Sequence, residues 1–225
     1  MITAFNIVMS LLLAILIISL SVTAVLAFKS LYYSAIERYG IEETSGMERD
    51  EIIENYDALI DYNFIGGSES LRFPTLPSSE EGLVHFAEVR EIFTGLQTAG
   101  IVSAVLLALL IFAGRFGGRR KNAKAVLPAG KKYVWLRYGG IIACVLPVTV
   151  MAAAALWWDK VFVLFHEIVF DNDYWIFDAE TDPVITMLPD GFFFECCMAI
   201  GALILILSGA AYFVYGKLRK RENAH

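Results

Sequence analysis

At 225 residues the chain has the length of one domain. Its 57% hydrophobic residues and mean hydropathy of +0.60 nonetheless lie far outside the range of a soluble domain. The formal net charge of −6 is an average over oppositely charged segments, and no nucleic-acid partner is expected.

Four apolar blocks account for the excess. They are residues 5–28, 92–114, 134–158 and 192–216, each supplying roughly the 20 apolar residues that cross a bilayer. The first, "FNIVMSLLLAILIISLSVTAVLAF", has an alternative as a signal peptide, because "VLA" precedes Phe28. Its apolar run is longer than a signal peptide's, and it has no basic leader, so it is assigned as a span. In the third block Pro147 lacks an N–H and predicts a kink. Arg137 and Glu195 lie near block ends, where a long side chain reaches the interface. The fold class is therefore an all-α membrane protein of four transmembrane helices with a small, mainly helical extracellular cap. The expected divisions are transmembrane helix 1 over 1–28, a cap segment over 29–91 and helix 2 over 92–114. A basic loop at 115–133, helix 3 at 134–156, a second cap segment at 157–191, helix 4 at 192–216 and a tail at 217–225 follow.

Charge sets the orientation. The stretch "GRFGGRRKNAKAVLPAGKKYVWLR" holds eight Lys and Arg and no acid, and the tail "GKLRKREN" adds four more. By the positive-inside rule both are cytoplasmic, as are both termini. The two acidic cap segments are then extracellular.

Within the first cap segment, "KSLYYSAIERYG" is expected to continue the first span and stop at Gly40. In "MERDEIIENYDALIDYNFIGG", Ile52, Tyr56, Leu59, Ile60 and Asn63 share one helical face, and Gly66 and Gly67 end the helix. "SESLRFPTLP" reads as a connector. "SSEEGLVHFAEVREIF" starts with a capping box, Ser78 to Glu81, and runs into the second span. His85 thus sits about two turns before the apolar stretch. In the second cap segment Trp158, Phe162, Phe165, His166, Val169 and Phe170 share much of one face. A turn-rich loop follows, with Asp190 expected to cap the fourth span.

The chain contains no phosphate-binding loop, no dinucleotide fingerprint, no nucleophile elbow and no complete HExxH. "FHEIVF" has only the first half of that zinc motif. A zinc site built from His85, His166 and Glu88, Glu167 or Asp173 is a reading the sequence allows, but the assigned site has no metal and no cofactor. Cys144, Cys196 and Cys197 all fall in spans, where apolar burial makes a thiol inert. Histidine acid–base chemistry is the better candidate, since an imidazole accepts and donates protons at ambient pH; its alternative is that each is a hydrogen-bonded interfacial histidine with no catalytic role. His85 and His166 both fall beside a span on the outer side, in aromatic company that excludes water. The residues by themselves describe a lipid-facing site with two histidines.

"LVHFAEVREIF", "NYDALIDYNF" and above all "WDKVFVLFHEIVFDNDYWIFDAETDPVITMLPDGFF" resemble the four-helix bacterial membrane proteins that include the lipoprotein intramolecular transacylase. The resemblance implies a multi-pass protein of the bacterial plasma membrane with catalytic His85 and His166 at the cap–membrane interface. It implies an acyltransferase that moves the sn-2 acyl chain of a diacylglyceryl lipoprotein to the α-amino group of that lipoprotein's N-terminal cysteine. The partners are then the diacylated lipoprotein and membrane lipid. One histidine is then the base and the other stabilises the oxyanion or protonates the leaving glyceryl oxygen; His85 is taken first as base, with the reverse assignment left open. Tyr56, Trp158, Phe162, Phe165 and Trp175 are expected to wall the substrate, and Arg90, Asn172 and Asp173 to orient an imidazole or the ester. Another lipid-active hydrolase or acyltransferase, or a non-catalytic envelope protein, are the alternatives.

Overall fold

A computed structural model describes residues 3–117 and 133–223. Most of the basic loop assigned to 115–133 lies outside the described residues. The described residues hold seven α-helices and no strand. In chain order they are α1 (Ala4–Ala27), α2 (Ser30–Arg38), α3 (Ile41–Ser45), α4 (Arg49–Tyr62), α5 (Glu80–Gly117), α6 (Val134–Val169) and α7 (Asp190–Asn223). A 3-10 turn, Pro183–Met187, precedes α7.

Four of these helices, α1, α5, α6 and α7, are long and apolar enough to cross a membrane. Helix α5 has 38 residues and so runs about 57 Å, nearly twice the ≈30 Å hydrocarbon core. Only part of it can be in lipid. Large apolar side chains along the apolar stretches stay open to the surroundings, such as Leu146 at 69% and Ile206 at 64%. A contiguous exposure of this kind is tolerated when the solvent is lipid. The chain is a multi-pass membrane protein.

The described residues divide into two units. The first takes 3–21, 98–117, 133–149 and 201–223 of them. Its helices approach closely where side chains are small, the usual device for packing in lipid. A Cβ on Gly139 would come within 2.8 Å of Leu13 on α1, and one on Gly140 within 3.1 Å of the Ser208 carbonyl on α7. Adjacent glycines therefore serve opposite neighbours. Ser10 on α1 donates its hydroxyl to the Asn6 carbonyl at 2.7 Å and to the Trp135 carbonyl at 3.3 Å.

The second unit takes 22–97 and 150–200 and has a core of soluble type. Tyr32 and Tyr56 stack at 3.6 Å with Phe192 edge-on to Tyr32, and the Tyr32 hydroxyl donates to the Met187 carbonyl at 2.7 Å. Ile52, Tyr56, Leu59, Ile60 and Asn63 form the buried face of α4, as their spacing predicts. Asn55, fully buried, pins the connector by donating to Thr75 Oγ1 at 2.8 Å and accepting from Thr75 N at 3.3 Å.

Several local expectations are corrected. The first span does not continue into the next segment. It ends at Ala27, and α2 starts anew at Ser30. The short α3, bracketed by left-handed Gly40 and Gly46, was not expected. Helix α6 has a break that was not expected, at Trp157, whose φ of −146° and ψ of 54° leave the helical region; Pro147, where a kink was expected, lies inside the helix ten residues before it. Asp190 is the first residue of α7 and not its cap.

The cap of α5 is also displaced by one residue. Ser79 Oγ accepts from Gly82 N at 2.9 Å, and a glycine at the third helical position has no side chain to return the bond. Asp182 supplies the missing half: its Oδ1 accepts from Ser79 N at 2.8 Å. It performs the task of the glutamate in a capping box from 103 residues away.

Candidate active site

All groups of the site belong to the second unit. Helix α5 carries His85, Phe86 and, one turn on, Glu88. Beyond its break, α6 carries Phe162, Phe165 and His166, and the loop that follows supplies Phe170, Asn172, Trp175 and Phe177.

The two imidazoles converge, with ring centroids 6.1 Å apart. His85 is 5% exposed and is enclosed by Phe170 at 4.7 Å, Phe177 at 5.5 Å and Phe86 at 5.8 Å. His166 is half-buried. Phe162 approaches it to 4.3 Å, Trp175 stacks on it at 4.7 Å, and Phe165 meets it edge-on at 5.3 Å.

The hydrogen bonds of the two rings differ. His166 Nδ1 lies 2.7 Å from the carbonyl of Phe162. A carbonyl only accepts, so the proton is on Nδ1, and the neutral ring has its lone pair on Nε2. His85 Nδ1 is buried with no hydrogen-bond partner among the described residues.

Burial acts on both rings in the same direction. Both lie outside the apolar stretches 92–114 and 134–158. Removal from water, with the neighbouring His166 acting in the same sense, pushes the His85 pKa down to about 4. The His166 pKa is also lowered by burial, a shift opposed by the bond to the Phe162 carbonyl. Both rings are therefore neutral at neutral pH, and His85 is the harder to charge.

The other expected site residues have varied surroundings. Phe162, Phe165 and Trp175 lie against His166. Trp158 touches Phe162 at 5.7 Å and Phe194 at 5.4 Å, and its Nε1 is buried without a partner among the described residues. Tyr56 is in the stacked core with Tyr32, apart from either imidazole. Asn172 donates to Glu88 Oε1 at 2.9 Å, and not to an imidazole. Asp173 is exposed. Arg90 lies over the Tyr62 ring at 4.6 Å and donates to the carbonyls of Gly67 and Glu69, both at 3.3 Å.

Among the described residues no group of three His, Cys, Asp or Glu is placed to hold a metal ion. The sequence reading missed Phe177 and the Gly82–Asp182 contact behind it. A glycine in the first turn of an otherwise strong helix was the available signal, since it often marks a close approach.

A family model described as lipoprotein intramolecular transacylase Lit matches residues 7–193. Solved structures agree over nearly the whole chain. The in meso structure of the membrane integral lipoprotein intramolecular transacylase Lit from Bacillus cereus is 34% identical, covers 98% of this chain and 96% of its own, and has a TM-score of 0.84. The same protein with an H85R mutation gives 33% identity, coverage of 97% and 92%, and a TM-score of 0.80. With an H85A mutation it gives 32%, coverage of 98% and 94%, and 0.81. A comparison with curated proteins finds no match. Both histidine segments lie within the residues that the family model matches, and the solved transacylase covers the four-span fold almost whole, which leaves one assignment: the chain belongs to the lipoprotein intramolecular transacylase family, and is a transacylase.

Proposed function

We propose that the protein moves the sn-2 acyl chain of a diacylglyceryl lipoprotein onto the α-amino group of that lipoprotein's N-terminal cysteine, using His166 and His85. The observation that carries this reading is the convergence of two neutral imidazoles in one aromatic enclosure. The H85R and H85A variants of the Bacillus cereus protein add support, because a histidine of the same number lies in this enclosure.

Of the two assignments that the sequence leaves open, the ring chemistry favours His166 as base. His166 has its lone pair on Nε2 and is the base. It takes one proton from the amine as nitrogen attacks the ester carbonyl. His85 resists charging and remains a neutral donor, so its N–H stabilises the tetrahedral oxyanion. When the intermediate collapses, His166 returns the proton to the departing glyceryl oxygen. One C–N bond forms, one C–O bond breaks, and neither histidine is changed. Nucleophile and ester belong to one molecule, so the enzyme's main task is to fold the substrate; well-oriented intramolecular pairs reach effective molarities of about 10⁵ M or more. Phe162, Phe165, Trp158 and Trp175 wall the chain being moved.

In this reading segments 29–91 and 157–191 lie on the outer face of the bacterial plasma membrane, and both termini are cytoplasmic. The test is co-expression with a diacylated lipoprotein and mass spectrometry of its N-terminus. An N-acylated, monoacylglyceryl product is expected, and an unchanged diacylglyceryl terminus refutes the reading. For topology, a cysteine replacing Glu180 should react with an impermeant reagent in intact cells and one replacing Lys220 should not. The opposite pattern refutes the orientation.

A further inference from the structure

Glu88 has a role that its packing leaves unexplained. It lies three residues after His85 on α5, a spacing that makes the two side chains neighbours on one face, roughly 5–6 Å apart at Cβ. Its Oε1 accepts from Asn172 Nδ2 at 2.9 Å. Its Oε2 is buried and has no hydrogen-bond partner among the described residues. No Lys or Arg there lies within ion-pair distance of it. Asn172 is three residues before Trp175, which stacks on His166. The carboxylate is thus tied to both strands of chain that hold the histidines.

A clamp between α5 and the loop would need one oxygen. The second oxygen, buried without a donor, is costly unless something brings one to it. We propose that Glu88 receives the α-amino group of the substrate's N-terminal cysteine, its Oε2 accepting an N–H while Asn172 fixes the carboxylate through Oε1. The inference rests on the transacylase reading above and specifies how the nucleophile is held.

The chemistry of the site requires such a group. An α-amine with a pKa near 8 arrives mostly as ammonium at neutral pH, and both imidazoles are neutral, so neither can answer its charge. A carboxylate can. Glu88 is a docking group and not the base. The bound ammonium gives up its first proton to solvent, so that its lone pair is directed at the ester; His166 then takes a second proton as the C–N bond forms, and the remaining N–H stays on Oε2. No new covalent step is added.

The test uses the full chain in detergent, with His166→Gln as a background that binds without turning over. The ligands are a synthetic diacylglyceryl-cysteine peptide and its des-amino counterpart, compared at pH 7. In the His166→Gln protein the amine should bind roughly 10- to 100-fold tighter, the scale of a hydrogen bond between charged groups. Adding Glu88→Gln should reduce that ratio below about threefold, because the charge-assisted contact is lost. Glutamine still offers an acceptor to Asn172, so the loop stays tied. Adding Asn172→Ala instead removes the tie and leaves the carboxylate, and should preserve the discrimination even if both ligands bind more weakly. Discrimination that survives Glu88→Gln, or that is lost equally in Asn172→Ala, overturns the inference. Conversion of the lipopeptide by wild-type protein is followed in parallel. Its absence refutes the transacylase reading, whereas conversion with discrimination intact in Glu88→Gln refutes only the role of Glu88.

Discussion

Replacement of Gly82 by alanine sets two effects of opposite sign against each other. Removing glycine from a helix is ordinarily stabilising by about 0.5–1 kcal/mol. Here the added Cβ would overlap Asp182 Oδ1 and lie 3.0 Å from its Cγ and 3.1 Å from Phe177 Cε1. Asp182 cannot easily retreat. It is 3% exposed, accepts from Ser79 N at 2.8 Å, and receives the Thr181 hydroxyl on Oδ2 at 2.8 Å. Overpacking costs about 1–3 kcal/mol, and loosening a hydrogen bond to a charged acceptor about 1.5–3 kcal/mol. After the propensity gain is subtracted, Gly82→Ala should destabilise by about 1.5–5.5 kcal/mol. Equilibrium unfolding in mixed detergent micelles measures it. The companion measurement is the same substitution in an Asp182→Ala background, where room has been made. There it should be neutral or stabilising by under about 1 kcal/mol. If Gly82→Ala stabilises the wild-type protein, the close approach is not a constraint and the reasoning fails. Turnover should fall several-fold with the single substitution, because Phe177 is displaced from the face of His85.

Three further outcomes are expected. His166→Gln and His85→Gln should each reduce turnover about 10²–10⁴-fold, with the double variant losing far less than the product; near-normal product from correctly inserted His166→Gln would refute the acid–base pair. Acid should destabilise the protein through His85. The unfolded state binds a proton below pH 6.5 and the folded state only near 4, so stability is complete above 6.5 and lost as pH falls between the two, by up to about 3 kcal/mol. Unfolding measured against pH should show a shallower acid slope in His85→Gln, and an unchanged slope would refute it. Activity should persist in EDTA and after replacement of Cys144, Cys196 and Cys197, and recovery by added zinc of activity lost to EDTA would move the site into the metal class.

The four spans and both histidines were legible because they depend on local composition and on a rare residue type. Leu, Ile and Val in runs of twenty need no tertiary information, and a histidine in "VFVLFHEIVF" is conspicuous. The buried face of α4 was legible because five residues share one period. The break in α6 was not. Proline is the local signal for a kink, and it drew attention to Pro147, whereas the backbone departs from the helix at Trp157, where nothing in the residue type demands it. The cap of α5 was misplaced by one residue because its reciprocal partner, Asp182, is brought there by the fold. Tyr56 was expected beside the substrate since it is aromatic and near the right segment, but Tyr32 and Phe192 take up its faces. For Glu88, sequence gave only a carboxylate one turn from a histidine, and the orphaned oxygen became visible with Asn172 in place.

Glu195 sits in the second turn of α7, at the start of an apolar stretch, with Arg38 Nη2 at 2.8 Å from one oxygen and the Tyr39 hydroxyl at 2.8 Å from the other. Arg38 is half exposed, so the pair adds little to final stability. Its consequence is for biogenesis. A carboxylate entering lipid on an isolated segment costs about 2.5–3.5 kcal/mol at the bilayer centre and less towards its edge. Arg38 and Tyr39 are synthesised some 150 residues earlier, so both exist before the last helix leaves the ribosome. The final span then finds a counter-charge already synthesised, and a nascent chain with Arg38→Ala should mis-seat that helix more often than one with Glu195→Gln, in which the charge to be matched is gone.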